Sequence, residues 1–258
     1  MKKILISGLL LIFSLNIFSQ SNEDCFSNLS IFAEYAKVKN YNAAYEPWLK
    51  VKAQCPELNS AIYIYGERLL KNFIKISEGV EKDKYKEDLL ALYNEWLKYF
   101  PKSKSGKNET GKILAIKAQS MITYKLANNQ AIYDVYDEAF NKDPKSFKSP
   151  KGLYNYFKIY FNLYKENSSN VSLEEVFEKY EDLSEKFEFE MEAYTSKLDV
   201  LLKKEENNDP ISSRQLRNKK VYEVNMVACN TYLNNLNAII AKESTCENLI
   251  PLYRKNFD

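Results

Sequence analysis

Apolar residues recur at intervals of three and four along most of the chain, and short polar turns separate the segments that show this pattern. Such spacing is typical of amphipathic helices, whereas strands would alternate apolar and polar residues with a period of two. No segment of useful length alternates in that way, so we predict an all-α fold without a sheet. The predicted helices lie at residues 24–38, 41–54, 58–78, 84–100, 108–127, 129–142, 150–166, 172–206, 213–241 and 246–257.

Three of these segments share a similar ending, which is a sign of an internal repeat. Each is followed by a proline, and the prolines are 45 and 43 residues apart. Proline cannot continue a helix, so its place just past an amphipathic stretch is that of a helix terminator. The endings are Trp48-Leu49-Lys50 before Pro56, Trp96-Leu97-Lys98 before Pro101, and Ala139-Phe140-Asn141 before Pro144.

The repeated segments resemble the tetratricopeptide-repeat family between residues 25 and 145. Gly66 falls 34 residues after Phe32, where the first helix of that family usually has glycine, and residues 137–144 look like the ending of its second helix. Further matches to its spacing are Ile31, Tyr35, Tyr41, Ala44, Trp48 and Pro56. Phe32 stands where a small residue is expected, Pro47 should kink a helix, and later units are about ten residues too long. A generic solenoid of helix hairpins therefore stays open.

The resemblance implies a concave groove that would bind a protein or peptide segment. The residues that it would place in this groove are Phe26, Lys37, Tyr63, Glu67 and Lys71. In the later helix 150–166, aromatic residues also share one face, and core packing is the alternative for them as for every aromatic residue of these helices. These aromatic residues are Tyr154, Phe157, Phe161 and Tyr164.

The second half of the chain changes character. Ser172 with Glu175 three residues later is a capping box at the start of a long helix of roughly 50 Å. The apolar positions of this helix keep a 4-3 rhythm, and so do those after the turn at residues 207–210, which predicts an antiparallel coiled-coil-like hairpin. The rhythm runs through Leu173, Phe177, Tyr180, Ser184, Phe187, Met191, Tyr194, Leu198 and Leu201, and then Tyr222, Met226, Cys229, Leu233, Leu236 and Ile240. The apolar tail around residues 249–253 packs on this hairpin or against a partner, and we expect the hairpin.

The first residues have the pattern of a secretory signal, because Lys2 and Lys3 precede an apolar run too short to span a bilayer. We therefore predict a signal peptide at 1–19, tetratricopeptide-like repeats at 20–147, and a long-helix hairpin region at 148–258 that continues the solenoid. The mature protein would be periplasmic or secreted, without membrane insertion; a retained membrane anchor is the alternative. The polar residues before Cys25 do not fit a lipoprotein signal.

Histidine is absent, which excludes a Ser-His-Asp or Cys-His site within the chain. The 37 basic and 35 acidic residues nearly balance, and Lys2 and Lys3 of the predicted signal account for the difference, so no nucleic-acid partner is predicted. The acids crowded in residues 172–192 are expected on a solvated face, although a hydrolytic pair could lie among them. Likewise, we expect a solvated loop for the lysines at 98, 102, 104 and 107. No metal or cofactor is predicted.

Four cysteines in an exported chain can form disulfides. Cys25 begins the first predicted helix and Cys55 ends the second, so an antiparallel pair would bring them together; unpaired thiols are the alternative. Cys229 lies in the 4-3 rhythm and is expected to be a small buried residue, and its pairing with Cys246 stays open.

These features predict a non-catalytic protein-interaction scaffold or adaptor of a bacterial-type cell envelope. A glycan- or ligand-binding module that uses surface aromatic residues is the first alternative, and a histidine-free hydrolase is the second. A long groove would favour a peptide partner, a flat aromatic platform would favour a sugar, and a buried pair of carboxylates in a cleft would favour the hydrolase.

Overall fold

The computed structural model describes residues 23–166 and 170–255, with side chains up to residue 250. The predicted signal peptide at 1–19 lies outside this part of the chain. No helix in the described ranges is long and apolar enough to cross a membrane. The helices found there are α1 (23–37), α2 (Tyr41–Gln54), α3 (Ala61–Ile76), α4 (Gly79–Tyr99), α5 (Thr110–Tyr124), α6 (Asn129–Lys142), α7 (Pro150–Lys165), α8 (Leu173–Glu206), α9 (Ser213–Glu243) and α10 (Cys246–Lys255).

Helices that follow one another along the chain pack in pairs: α1 with α2, α3 with α4, and α5 with α6. The long helices α8 and α9 form a hairpin of their own, and α7 packs against both of them. The predicted all-α fold of sequential helix pairs followed by a long hairpin is therefore confirmed. The chain forms two compact units, the first ending at Lys107 and the second beginning at Asn108.

The core of the first unit depends on close contact between Trp48 of α2 and Gly66 of α3. The indole of Trp48 is buried, and its Nε1 donates a hydrogen bond to the carbonyl oxygen of Ile62 at 3.0 Å. A Cβ added to Gly66 would lie 2.6 Å from that same nitrogen. Glycine is thus required where the two helices approach, and α2 runs on through Pro47 beside this contact.

A second glycine joins α5 to α6 in the second unit. A Cβ on Gly111 would lie 2.1 Å from the backbone carbonyl oxygen of Asp143. The amide of Gly111 donates to Oδ2 of the buried Asp143 at 3.3 Å, and the amide of Lys112 donates to Ser146 Oγ at 2.9 Å. The end of α6 therefore satisfies two of the free N–H groups with which α5 begins.

Capping boxes begin both helices of the long hairpin. Ser172 and Glu175 bond each other's backbone amides at the start of α8, as predicted, and Ser212 and Gln215 do the same for α9. We call the end of the hairpin at residues 207–212 the tip and the opposite end the base. Helix α10 follows the base after two residues and does not pack along another helix of the described part. Leu249 and Ile250 of the tail are exposed, so the packing on the hairpin that we expected is not observed for these two residues.

The predicted 4-3 rhythm captures only part of what the hairpin buries. Phe187, Tyr194 and Leu201 of the predicted seam are buried in α8. However, α8 also buries residues outside that seam, because α7 covers a second side of the helix. These additional residues are Val176, Leu183, Lys186 and Glu190.

Candidate functional site

The residues of the predicted groove are in different environments in the first unit. Phe26 and Lys37 of α1 are exposed, Phe26 to 61%. Glu67 and Lys71 of α3 form an ion pair with 2.6 Å between Oε1 and Nζ. The same Oε1 accepts a hydrogen bond from the Tyr93 hydroxyl at 2.8 Å, so groups of its own unit already satisfy this carboxylate.

Tyr63 does not line an open groove, contrary to the expectation from its helix face. Its side chain is fully buried, because Trp96, Tyr99 and Phe100 at the end of α4 pack against its ring. The hydroxyl donates to the carbonyl oxygen of Pro56 at 3.0 Å, and burial raises its pKa well above the usual range. Tyr63 is thus a core residue of the α3–α4 pair.

The Cys25–Cys55 disulfide, which the sequence left open beside two unpaired thiols, is present. It joins the start of α1 to the end of α2 with 6.2 Å between the Cα atoms, and it closes a segment of 30 residues. Cys229 and Cys246 are both free, the first buried and the second exposed. Burial and the nearby Glu190 carboxylate raise the pKa of Cys229 to about 11, so its thiol stays protonated at neutral pH.

Within the crowded acids of α8, Glu190 alone is buried. Its Oε1 lies 2.5 Å from Nζ of Lys186, and its Oε2 lies 3.7 Å from Nζ of Lys148, which precedes α7. Lys186 is also buried, so this is an ion pair inside the protein. This buried pair could not be predicted from the sequence, because Lys and Glu four residues apart usually form a surface pair.

Asp143 is the other buried acid in the described part of the chain, and it is bonded to the start of α5. Each of these two carboxylates therefore has a structural partner of its own. They do not form the buried pair in a cleft that would have favoured a hydrolase. The described residues also hold no cluster of three or more acids or cysteines suited to a metal ion.

A second polar cluster surrounds Lys179 of α8. Its Nζ donates to the Tyr156 hydroxyl at 2.9 Å, and that hydroxyl donates to Asp137 Oδ1 at 2.5 Å. The ammonium also lies 5.0–5.8 Å from the ring centres of Tyr133, Tyr156 and Tyr160, which form a cage around it. Burial raises the pKa of Tyr160 to about 12. The cation that fills this cage belongs to the protein itself, so the cluster fastens α8 to α6 and α7.

An apolar groove of about 470 Å³ lies between α8 and α9 near the tip. Val200 in its wall is 57% exposed. We call this surface the open groove. It is lined by Ala193, Ser196, Lys197, Val200 and Leu201 of α8 and by Gln215, Asn218 and Tyr222 of α9.

The open groove continues the surface on which α7 packs. Lys179, which contacts α7, is followed about five helical turns later on the same side of α8 by Lys197 of the groove. On α9, the ring of Tyr232 contacts Tyr154 of α7, and Asn218 of the groove lies about four turns earlier.

Helix α7 has 16 residues, whereas α8 has 34 and α9 has 31, so α7 covers only part of the hairpin. Lys148 at the N-terminal end of α7 reaches Glu190, and Lys165 at its other end pairs with Glu243 near the base. The uncovered part therefore begins just beyond Glu190 and runs to the tip. The predicted helix lengths already contained this signal, because 150–166 is about half as long as 172–206.

Of the aromatic residues that were candidates for a binding surface on α7, Phe157 is a core residue and the other three are half-buried. Phe157 is fully buried and Tyr154 packs against Tyr232 of α9. The ammonium of Lys165 lies over the rings of Phe161 and Tyr164. The lysines of the predicted basic loop, at 98, 102, 104 and 107, are exposed.

Comparisons of the chain with family models, with curated proteins and with solved structures find no match. The chain is therefore not assigned to a family. Its fold defines it as an all-helical protein of helices that pack in sequential pairs, with an open groove in its long hairpin.

Proposed function

We propose that this chain is an exported, non-catalytic scaffold with tetratricopeptide-like repeats, and that it binds a helical segment of a protein partner in the open groove. The observation that carries the proposal is that α7 fills only part of the channel between α8 and α9. A segment that continued in the path of α7 would cover the exposed Val200 and the adjacent Ala193 of the apolar wall. Amphipathic helices bind other proteins in this helix-in-groove manner.

The size of the groove also fits a helix. From Ala193 to Leu201, the lining residues of α8 span roughly 12 Å at a rise of 1.5 Å per residue, which is about two turns of a partner helix. Lys197 forms no ion pair within the described residues, and its Nζ lies 5.6 Å from the ring centre of Tyr222. An acidic residue on the partner would therefore find a cation at the wall of the groove.

Export is supported by the Cys25–Cys55 disulfide, because such bonds persist in oxidising compartments. A sugar-binding platform has less support. The three aromatic rings that are most exposed in the described part are Phe26, Tyr35 and Phe189, and none of them packs against another ring there. An isolated ring offers no flat stacking surface to a chain of sugars.

The test is recovery of partners from the native cell envelope by the tagged protein, followed by mass spectrometry. We expect one protein in stoichiometric amount with the unchanged chain. Val200→Glu would place a charge in the apolar wall and abolish the recovery. The matched control is Val227→Glu, which changes an exposed valine on another side of the same hairpin and should leave the recovery intact. Equal recovery by both variants, or no recovery by the unchanged chain, would contradict the proposal.

A further inference from the structure

The apolar side chains described in helix α10 are exposed. Cys246, Leu249 and Ile250 lie on one side of it at helical spacing, and Leu249 and Ile250 are 40% and 49% exposed. No helix of the described part packs along it. The molecule thus carries both an open apolar groove and a short apolar helix without a partner.

Helix α10 cannot reach the groove of its own chain. Tyr222, the groove residue of α9 nearest the base, lies roughly 30 Å from Glu243 at a rise of 1.5 Å per residue. Two residues link α9 to α10, and they span about 7 Å when extended. The 10 residues of α10 add roughly 15 Å. The helix therefore falls short as long as α9 keeps its helical form.

Charge also favours binding of an α10 helix in the open groove. The groove holds Lys197, which has no carboxylate partner in the described ranges, and α10 carries the exposed Glu247 in its first turn. A helix that placed Leu249 and Ile250 against Val200 and Leu201 would bring this carboxylate close to the groove. Lys197 and Glu247 would then neutralise each other at the edge of an apolar contact.

We propose that the occupant of the open groove is α10 of a second copy of the chain, an inference that rests on the proposed role of the groove as a protein-binding site. Two hairpins lying side by side in opposite directions bring the base of each next to the tip of the other. Each α10 then fills the groove of its partner, and the two identical contacts close a two-fold dimer.

The first test is the mass of the purified chain in solution, measured by light scattering at micromolar concentration. We expect a dimer for the unchanged chain and for Val227→Glu, and half that mass for Val200→Glu and for Leu249→Glu. Circular dichroism of each variant shows whether it is folded. A monomeric unchanged chain, or a dimer that Leu249→Glu does not affect, would overturn the inference.

A mixture of the two disrupted variants separates this arrangement from other symmetric dimers. Val200→Glu retains a sound α10, and Leu249→Glu retains a sound groove, so only the mixed pair has one intact contact. We expect heterodimers in the mixture at concentrations at which each variant alone is monomeric. Absence of heterodimers at every concentration at which the unchanged chain is dimeric would contradict the exchange of α10.

Disulfide trapping locates the contact. Ser196→Cys puts a thiol in the groove, and it should form an intermolecular bond with Cys246, which disappears when Cys246→Ser is added. The matched control is Thr195→Cys, which faces Met226 on another side of α8 and should not cross-link. Equal cross-linking of both variants would count against the inference. If the chain is monomeric and Val200→Glu still abolishes recovery of a different protein, the groove keeps its proposed function and α10 is not its occupant.

Discussion

The helices of the two units are held together by different kinds of interaction. The first unit is held by aromatic rings around Trp48 and Tyr63 and by a disulfide across its first helix pair. The second unit also uses charges, with Lys186 and Glu190 buried in one place and the half-buried Lys179 beside Asp137 in another. Apolar contacts have no direction, whereas buried charges are favourable only with their partners in position. We therefore expect the second unit to be the more sensitive to single polar substitutions.

Both tryptophans of the chain, Trp48 and Trp96, lie in the first unit. Tryptophan fluorescence consequently reports the unfolding of that unit alone, whereas far-UV circular dichroism reports the helices of both. Comparison of the two signals during denaturation shows which unit a substitution affects.

The largest effect is expected at Glu190. Glu190→Gln removes the counter-charge of the buried Lys186, and loss of one partner of a buried ion pair costs about 3–5 kcal/mol. The transition seen by circular dichroism should move to lower urea concentration, while the transition seen by tryptophan fluorescence should not move.

Two further variants show whether the ion pair is the cause. Glu188→Gln changes an exposed acid on the same helix and should alter the free energy of unfolding by less than about 0.5 kcal/mol. The double change Lys186→Met with Glu190→Leu removes both charges and should recover most of the loss. A double variant as unstable as Glu190→Gln would show that shape, and not the unpaired charge, decides the cost.

What the sequence predicted well is local. The start of α8 follows from Ser172 with Glu175 three residues later, and the turn at 207–210 follows from its composition. The resulting helix positions differ from the observed ones by a few residues, because these signals depend only on neighbours in the chain.

What the sequence could not predict is how many neighbours cover a helix. The helical period of α3 shows that Tyr63 and Ile62 point to different sides of the helix. Both are nevertheless buried, because the helices before and after α3 pack against it. The same limit applies to Lys186 and Glu190, since the 4-3 rhythm of α8 describes its contact with α9 and not its contact with α7. Contacts between residues far apart in the chain decide these cases, and the spacing of one helix does not contain them.

The next effect is expected in the first unit on removal of its disulfide. Cys25→Ser with Cys55→Ser frees a segment of 30 residues in the unfolded chain. In the chain-entropy account this lowers the free energy of unfolding by about 3–4 kcal/mol. The transition seen by tryptophan fluorescence should move to lower urea concentration, while the unfolding transition of the second unit should not move. This is the reverse of the result for Glu190→Gln.

Cys246→Ser is the control for the disulfide, because that thiol is exposed and unpaired in the structure. The control is made in the Val200→Glu chain, which is expected to be monomeric. In that chain Cys246→Ser should leave the fluorescence transition and the circular dichroism transition unchanged. If loss of the disulfide moved the two transitions by the same amount, the units would unfold together and the contrast between them would not hold.

The smallest changes in the free energy of unfolding are expected when tyrosine is replaced by phenylalanine at two sites. Tyr63→Phe removes a hydrogen bond to the neutral carbonyl of Pro56, whereas Tyr156→Phe removes bonds to the charged Asp137 and Lys179. Hydrogen bonds contribute about 0.5–1.5 kcal/mol between neutral groups and about 1.5–3 kcal/mol with charged ones. Denaturant titrations should therefore show the larger loss for Tyr156→Phe, and equal losses would contradict the role assigned to Asp137 and Lys179.

The pH dependence of the Tyr156 variant sharpens this last comparison. Burial raises the pKa of Tyr156 above its ordinary value of 10.0, so the folded protein keeps a phenol that donates to Asp137. A pKa raised on folding gives stability that is complete below pH 10 and declines as the pH rises further, because the unfolded chain then gains by ionising. Phenylalanine does not ionise and contributes no such pH dependence. The difference in the free energy of unfolding between the unchanged chain and Tyr156→Phe should therefore narrow above pH 10. A difference that stayed constant from pH 8 to pH 11 would mean that the hydroxyl is not held as a buried donor.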